Sequence, residues 1–180
     1  MTLLELLQER NAKTRAWVAE DPENRWAGTL TEDLSHWEEY GVTTVEEFER
    51  YELETTIWEA YKDAYGVRPR HMDFKSMTIE ELRQEADFLC NAAQEAADAE
   101  QKQAEEDVLA FKRLVDYAIN LGADNEETAL RWLTSNEQFY SKQDVEHFVW
   151  GHGILFTDYG KELVEKLCSI VTFMEYEEAA

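Results

Sequence analysis

The sequence predicts an all-α protein of about seven helices, one of them long and central, with an elongated or two-lobed build. Three observations carry this reading. The 180 residues include only seven Gly and two Pro, too few to build the turns of a many-stranded β fold. Helix-start signatures recur: a Ser or Thr whose side chain can accept the backbone N–H three residues on, with an acid there that reaches back. Apolar residues fall at spacings of three and four between runs of Glu, which puts one apolar and one anionic face on the same helix.

In chain order, Thr2 and Glu5 open a helix over about 3–19. Thr31, followed by Glu32 and Asp33, places acid in the first turn of a helix over about 32–40, where the helix dipole favours it. Thr43 with Glu46, or Thr44 with Glu47, opens a helix over about 44–65, whose apolar face is Val45, Phe48, Leu53, Ile57 and Tyr61. Thr78 and Glu81 open the longest element, about 78–121. Shorter helices follow over about 125–134, 142–150 and 158–174, with Asp124/Glu127 and Ser141/Asp144 as looser boxes. Gly28, Gly41, Gly66, Gly122 and Gly151 are candidate stops. In "GHGILFTDYG", residues 151–160, Ile154, Leu155 and Phe156 suggest a short buried turn or strand between two helices.

The long element divides the chain into lobes 1–77 and 122–180 joined by 78–121, unless all three form one continuous domain. Ile79, Leu82, Ala86, Leu89, Ala93 and Ala96 form one heptad-like run, and Ala104, Val108, Phe111, Val115 and Ala118 a second, with the register slipped between them. The slip, "DAEQKQAEED" at 98–107, has no large apolar side chain: either one helix is bare there or the chain bends. Continuity is favoured, because no Gly or Pro intervenes and Ala, Glu, Gln and Lys are good helix formers. A homodimer through this helix is one consequence.

Forty acidic residues stand against 17 basic, a formal net charge of -23. Such a balance repels nucleic-acid phosphate and anionic lipid, so neither direct nucleic-acid binding nor a membrane partner is expected. No run approaches 18 apolar residues, and the N-terminus lacks the pattern of a secretory signal. Cys90 and Cys168 read as buried free thiols, in keeping with a reducing cytoplasm. The charge is unevenly placed: residues 31–59 hold ten acids against Arg50, and residues 76–107 ten acids against Arg83 and Lys102. Carboxylates spaced along helices can imitate the phosphates of a nucleic acid, and the basic groove of a nucleic-acid-binding protein would accept them. The alternative is a solvated face that confers solubility. The candidate partner-binding residues are Glu38, Glu39, Glu46, Glu47, Glu49, Glu52, Glu54, Glu59, Glu95, Asp98, Glu100, Glu105 and Glu106.

Between these acidic segments lies "AYKDAYGVRPRHMDF", residues 60–74, with Lys62, Arg68 and Arg70. Lys62 sits in a last helical turn, Gly66 can take the left-handed cap, and Pro69 prevents resumption. This basic knot reads as structural, its cations pairing with acids of the neighbouring helices; a compact anion-binding hook is the other reading.

Catalytic chemistry finds little support. No phosphate-binding Gly-rich loop, Cys-x-x-Cys or His-Glu-x-x-His is present, so no catalytic residue, no metal site and no cofactor is expected. Asp144 and His147 make a single three-apart pair where a di-metal bundle needs more, and His152 between two glycines is the most exposed-looking histidine. Six Trp are many for this length; most should be core, with Trp26 and Trp37 the candidates for partner-facing anchors.

"YKDAYGVRPR", Tyr61 to Arg70, resembles a stretch of small uncharacterised proteins of tailed bacteriophages, in which a helix ending Tyr-Lys-Asp-x-Tyr-Gly is followed by Arg-Pro-Arg. "ETALRWL", Glu127 to Leu133, has a similar character. The resemblance covers about a tenth of the chain, implies a phage origin and a host-cell cytoplasm, and assigns no activity. Joined to the charge pattern, it leads to the expectation of a non-enzymatic inhibitor that presents acidic helices to the basic surface of a host nuclease or defence protein. A structural or accessory phage protein that dimerises through the long helix is the alternative.

Overall fold

The structure, a computed structural model, describes residues 1–175. Among these are seven α-helices and one 3₁₀ turn: α1 (Leu3–Glu20), α2 (Leu34–Glu39), α3 (Val45–Tyr65), the 3₁₀ turn (Phe74–Ser76), α4 (Ile79–Asn120), α5 (Glu126–Leu133), α6 (Lys142–Gly151) and α7 (Asp158–Ile170). The fold is all-α. No helix among the described residues is long and apolar enough to cross a membrane. The chain divides into two compact units, 1–96 and 97–180, with the division inside α4. That helix runs through the bare stretch unbroken.

The capping signals act as their chemistry requires. Thr2/Glu5, Thr44/Glu47 and Ser141/Asp144 form complete boxes. At α4, Glu81 accepts from the Thr78 N–H at 2.7 Å and the Thr78 hydroxyl accepts from the Glu81 N–H at 3.2 Å. Where two starts competed, Thr44 prevails over Thr43, which instead donates its N–H and hydroxyl to Glu47. Helix α5 is capped by Asn125, not Asp124, and α2 by Asp33, so it begins later than its first acids suggest. Gly66 takes φ 73° at the end of α3, a conformation that costs a side-chain-bearing residue energy. Gly28 ends no helix, because α1 stops at Glu20, and Gly151 lies within α6.

The first unit has two small cores. One joins α1 to α2 and α3 through Leu3, Leu7, Trp37, Val42 and Phe48; the other joins α3 to α4 through Ile57, Ala60, Leu82, Ala86 and Leu89. Polar ties fix the connections. Buried Asn11 on α1 donates to the Leu30 carbonyl and accepts from the Leu30 N–H, both at 2.8 Å, and so pins the loop before α2. Arg50 on α3 donates to the carbonyls of Phe74 and Met77 at 3.1 and 2.7 Å, holding the entry to α4.

The second unit has one larger core: Phe111, Val115 and Ala118 of α4 pack with Leu130 of α5, Val145 and Val149 of α6, Ile154, and Leu163 and Leu167 of α7. Residues 152–157 form a turn, not a strand, with Ile154 fully buried and Phe156 83 % exposed. Helix α7 ends at Ile170, four residues short of the expectation. Arg131 donates to the Ile170 carbonyl at 2.7 Å, Val171 is extended, and the Met174 N–H donates to the Phe139 carbonyl at 2.8 Å. These tertiary bonds occupy groups that another helical turn would have used.

Several expectations about burial are corrected. Cys90 is exposed, one position past the Leu82–Ala86–Leu89 stripe, and Cys168 is half-buried, its thiol pushed up by burial. Of the six tryptophans only Trp37 is buried, where its indole N–H donates to the Thr31 carbonyl at 2.9 Å. Trp17, Trp26, Trp132 and Trp150 are exposed and Trp58 half-buried, because Leu, Ile and Phe fill the narrow seams of so small a bundle.

Candidate binding surface

The thirteen carboxylates singled out from the sequence separate by what holds them. In the first unit, Glu38 and Glu39 at the end of α2 and Glu46 in the first turn of α3 are exposed. Glu47 is spent on the cap of α3, and its carboxyl titrates below the usual range, first through the Thr43 hydroxyl and then through backbone N–H groups. Glu49, Glu52 and Glu54 are half-buried and each has a cation. Glu49 accepts from Arg83 Nη2 at 2.6 Å, Glu52 pairs with Arg10, and Glu54 lies 3.3 Å from Arg50. Glu49 and Glu52 thus tie α3 to α4 and α1, while Glu54 pairs within α3 itself. Glu59 is exposed between Lys62 at 3.5 Å and Arg68 at 3.8 Å. Glu95, on α4, is exposed.

In the second unit, Asp98, Glu100, Glu105 and Glu106 are all exposed along α4. Glu105 accepts from Gln101 at 3.2 Å, and Glu106 lies 3.8 Å from Lys102. No residue from Glu95 to Glu106 is buried, and only Ala96 and Ala104 among them are half-buried.

The basic knot is placed differently from its reading in the sequence. Arg68 and Lys62 pair with Glu59, a residue of α3 itself, and the Arg68 guanidinium lies 5.7 Å from the Trp58 ring. Arg70 is exposed, and among the described residues no ion pair involves its side chain. The cations that join the acidic helices are Arg83 and Arg50, which the sequence reading passed over because they lie inside helices and pair across gaps of 34 and 27 residues. Arg70→Ala is accordingly expected to shift stability by no more than about 0.5 kcal/mol, read as an unchanged urea midpoint.

The groups considered for chemistry are occupied structurally. Asp144 accepts from the N–H groups of Tyr140 and Ser141 at 2.9 and 2.8 Å, and the first of these bonds leads in holding its carboxyl below the usual range. His147 stacks on Trp150 at 5.4 Å. Among the described residues no group of three or more His, Cys, Asp or Glu is arranged to hold a metal ion.

His152 is not the exposed histidine its glycine neighbours suggested. It is half-buried at the end of α6, its ring edge-on to Phe111 and Phe148 at 4.9 Å each. Burial holds its pKa below the ordinary value, against the pull of Glu137. The unfolded chain therefore takes up this proton first as pH falls. The contribution of neutral His152 is intact above its unfolded pKa of about 6.5 and is lost as pH drops below it. Melting followed from about pH 7.5 to about pH 5.5 should show a loss in the wild type that His152→Gln reduces.

One feature of the surface was missed entirely. Leu114 and Tyr117 of α4 and Leu121 just past its end are 42 %, 63 % and 63 % exposed, and Trp132 near the end of α5 is 47 % exposed. Their spacing of three and four was legible as a second stripe, but the adjacent Phe111–Val115–Ala118 run absorbed the helical signal. Comparison with protein-family models, with curated proteins and with solved structures gave no match for this chain.

Proposed function

We propose that this is a non-enzymatic acidic binding protein of phage type. It acts in the host cytoplasm and inhibits a nucleic-acid-binding nuclease or defence protein by presenting carboxylates to its basic groove. The observation that carries the reading is the exposed span from Glu95 to Glu106 on α4. Eleven helical steps cover roughly 16 Å. Five of the singled-out acids and Lys102 lie within them, which leaves about one net negative charge per 4 Å, close to the 3.4 Å phosphate spacing of one DNA strand.

The test is capture of host proteins on immobilised full-length chain, at about 0.1 M and about 0.5 M salt, with duplex DNA as competitor. Captured nucleic-acid-binding proteins should be released by DNA and by salt. They should also be lost when Glu95, Asp98, Glu100 and Glu105 are changed together to their amides, which preserve the helix. Capture that survives both the amide variant and high salt would sink the proposal. Reversing the charge of Glu49, Glu52 and Glu54 is not an equivalent test, since it breaks the ties to Arg83, Arg10 and Arg50.

A further inference from the structure

Two apolar stripes run side by side on the C-terminal part of α4. Phe111, Val115 and Ala118 face the core of the second unit. One position before each of them stand Ala110, Leu114 and Tyr117, all exposed, and Leu121 continues that row. The row steps by four, three and four, the spacing of a coiled-coil seam. Beyond its end, a Cβ on Gly122 would lie 4.0 Å from the Trp132 ring, so that exposed ring adjoins the helix terminus.

We propose that this row is a homodimer interface, against which a second copy lays its own α4 antiparallel. Three features favour a second copy over another occupant. A two-fold axis between positions 115 and 116 sets Leu114 against Tyr117 of the second copy, and small Ala110 against large Leu121, so the row is complementary to itself in size. Arg113, exposed beside the seam, then reaches Asn120 and the carbonyl end of the other α4. That last turn carries no basic residue of its own, and a cation there is favoured by the helix dipole. The charge is also right. Residues 108–121 hold Lys112 and Arg113 against Asp116, a net of +1, whereas residues 76–107 are strongly negative. Two copies of this acidic chain meet here without the repulsion they face along the preceding part of the helix, and a basic partner gains nothing. The seam is short, well below the roughly 800 Å² per partner of a standard interface, so the dimer is a weak one. The inference does not depend on the proposed inhibitor role, because none of its residues belongs to the acidic set.

Sedimentation of the full chain from about 1 μM to about 500 μM tests it over the range suited to so small an interface. The mass should rise from the 21.1 kDa of one chain toward twice that value. Tyr117→Glu and Leu121→Glu should each raise the concentration of half-dimerisation about tenfold or more without changing the thermal melt. If a charge there disturbs the helix, Tyr117→Ser and Leu121→Gln make the same test without one. A monomer at the highest concentration, association untouched by these variants, or association abolished by moderate salt would each overturn the proposal.

Discussion

Gly160→Ala is expected to destabilise the second unit by about 3 kcal/mol, the upper end of what overpacking costs, and to show it as a large fall in the urea midpoint. Gly160 is buried in the first turn of α7. A Cβ on it would lie 2.6 Å from the carbonyl carbon of Ile154, and closer still to the carbonyl oxygen, with the Leu155 Cα at 3.1 Å. These are backbone atoms and cannot rotate aside. The Ile154 carbonyl is held in place by the Thr157 N–H at 3.0 Å and the Thr157 hydroxyl at 2.7 Å, while the Ile154 side chain is fully buried. The same Thr157 hydroxyl accepts from the Gly160 N–H at 3.0 Å, so elbow and helix are locked together. Gly28→Ala is the control, since its Cβ would meet nothing within 4 Å. A wild-type midpoint for Gly160→Ala would mean that α7 can slide away from the elbow, and the packing described for this corner would be wrong.

Asn11→Ala should cost the first unit about 2–4 kcal/mol, because it strips partners from two backbone groups at once. Asn11 is 2 % exposed. Its amide closes a two-bond ring with Leu30, and its Nδ2 donates a further bond to Glu32 at 2.9 Å. Without it the Leu30 N–H and carbonyl lose their partners beside the Leu3–Leu7–Trp37 cluster, and the loop before α2 is free to move. Amide exchange should therefore rise locally at Leu30 even where global unfolding changes less. Asn11→Asp separates the roles: it keeps the acceptor for the Leu30 N–H but sets a carboxylate against the Leu30 carbonyl and Glu32. It should rank at least as low in stability as Asn11→Ala, and a milder effect would show that the bond to the N–H alone carries the pinning.

The helices were legible in the sequence because what starts them is local. Thr2, Thr44, Thr78 and Ser141 each need only an acid three residues away, a distance the chain sets by itself. The end of α7 was misread for the opposite reason: Arg131 and Phe139 stop it from 30 or more residues away. The candidate surface was half legible. The density of acid on α4 is a property of composition and helical rise, and it survives folding intact from Glu95 to Glu106. The α3 acids look the same in the sequence, yet Glu49, Glu52 and Glu54 turn inward to Arg83, Arg10 and Arg50.

By itself, then, the sequence determined the all-α class, the place of nearly every helix start, the unbroken course of α4 and the excess of acid along it. These follow from backbone caps, propensity and spacing, interactions among residues a few positions apart. Only the tertiary structure decided which of two adjacent stripes on α4 is core, which carboxylates are bound to arginine, and why position 160 must be glycine. Each of those depends on contacts between distant segments, whose free energy appears only when the chain has closed on itself and burial has chosen one face over its neighbour.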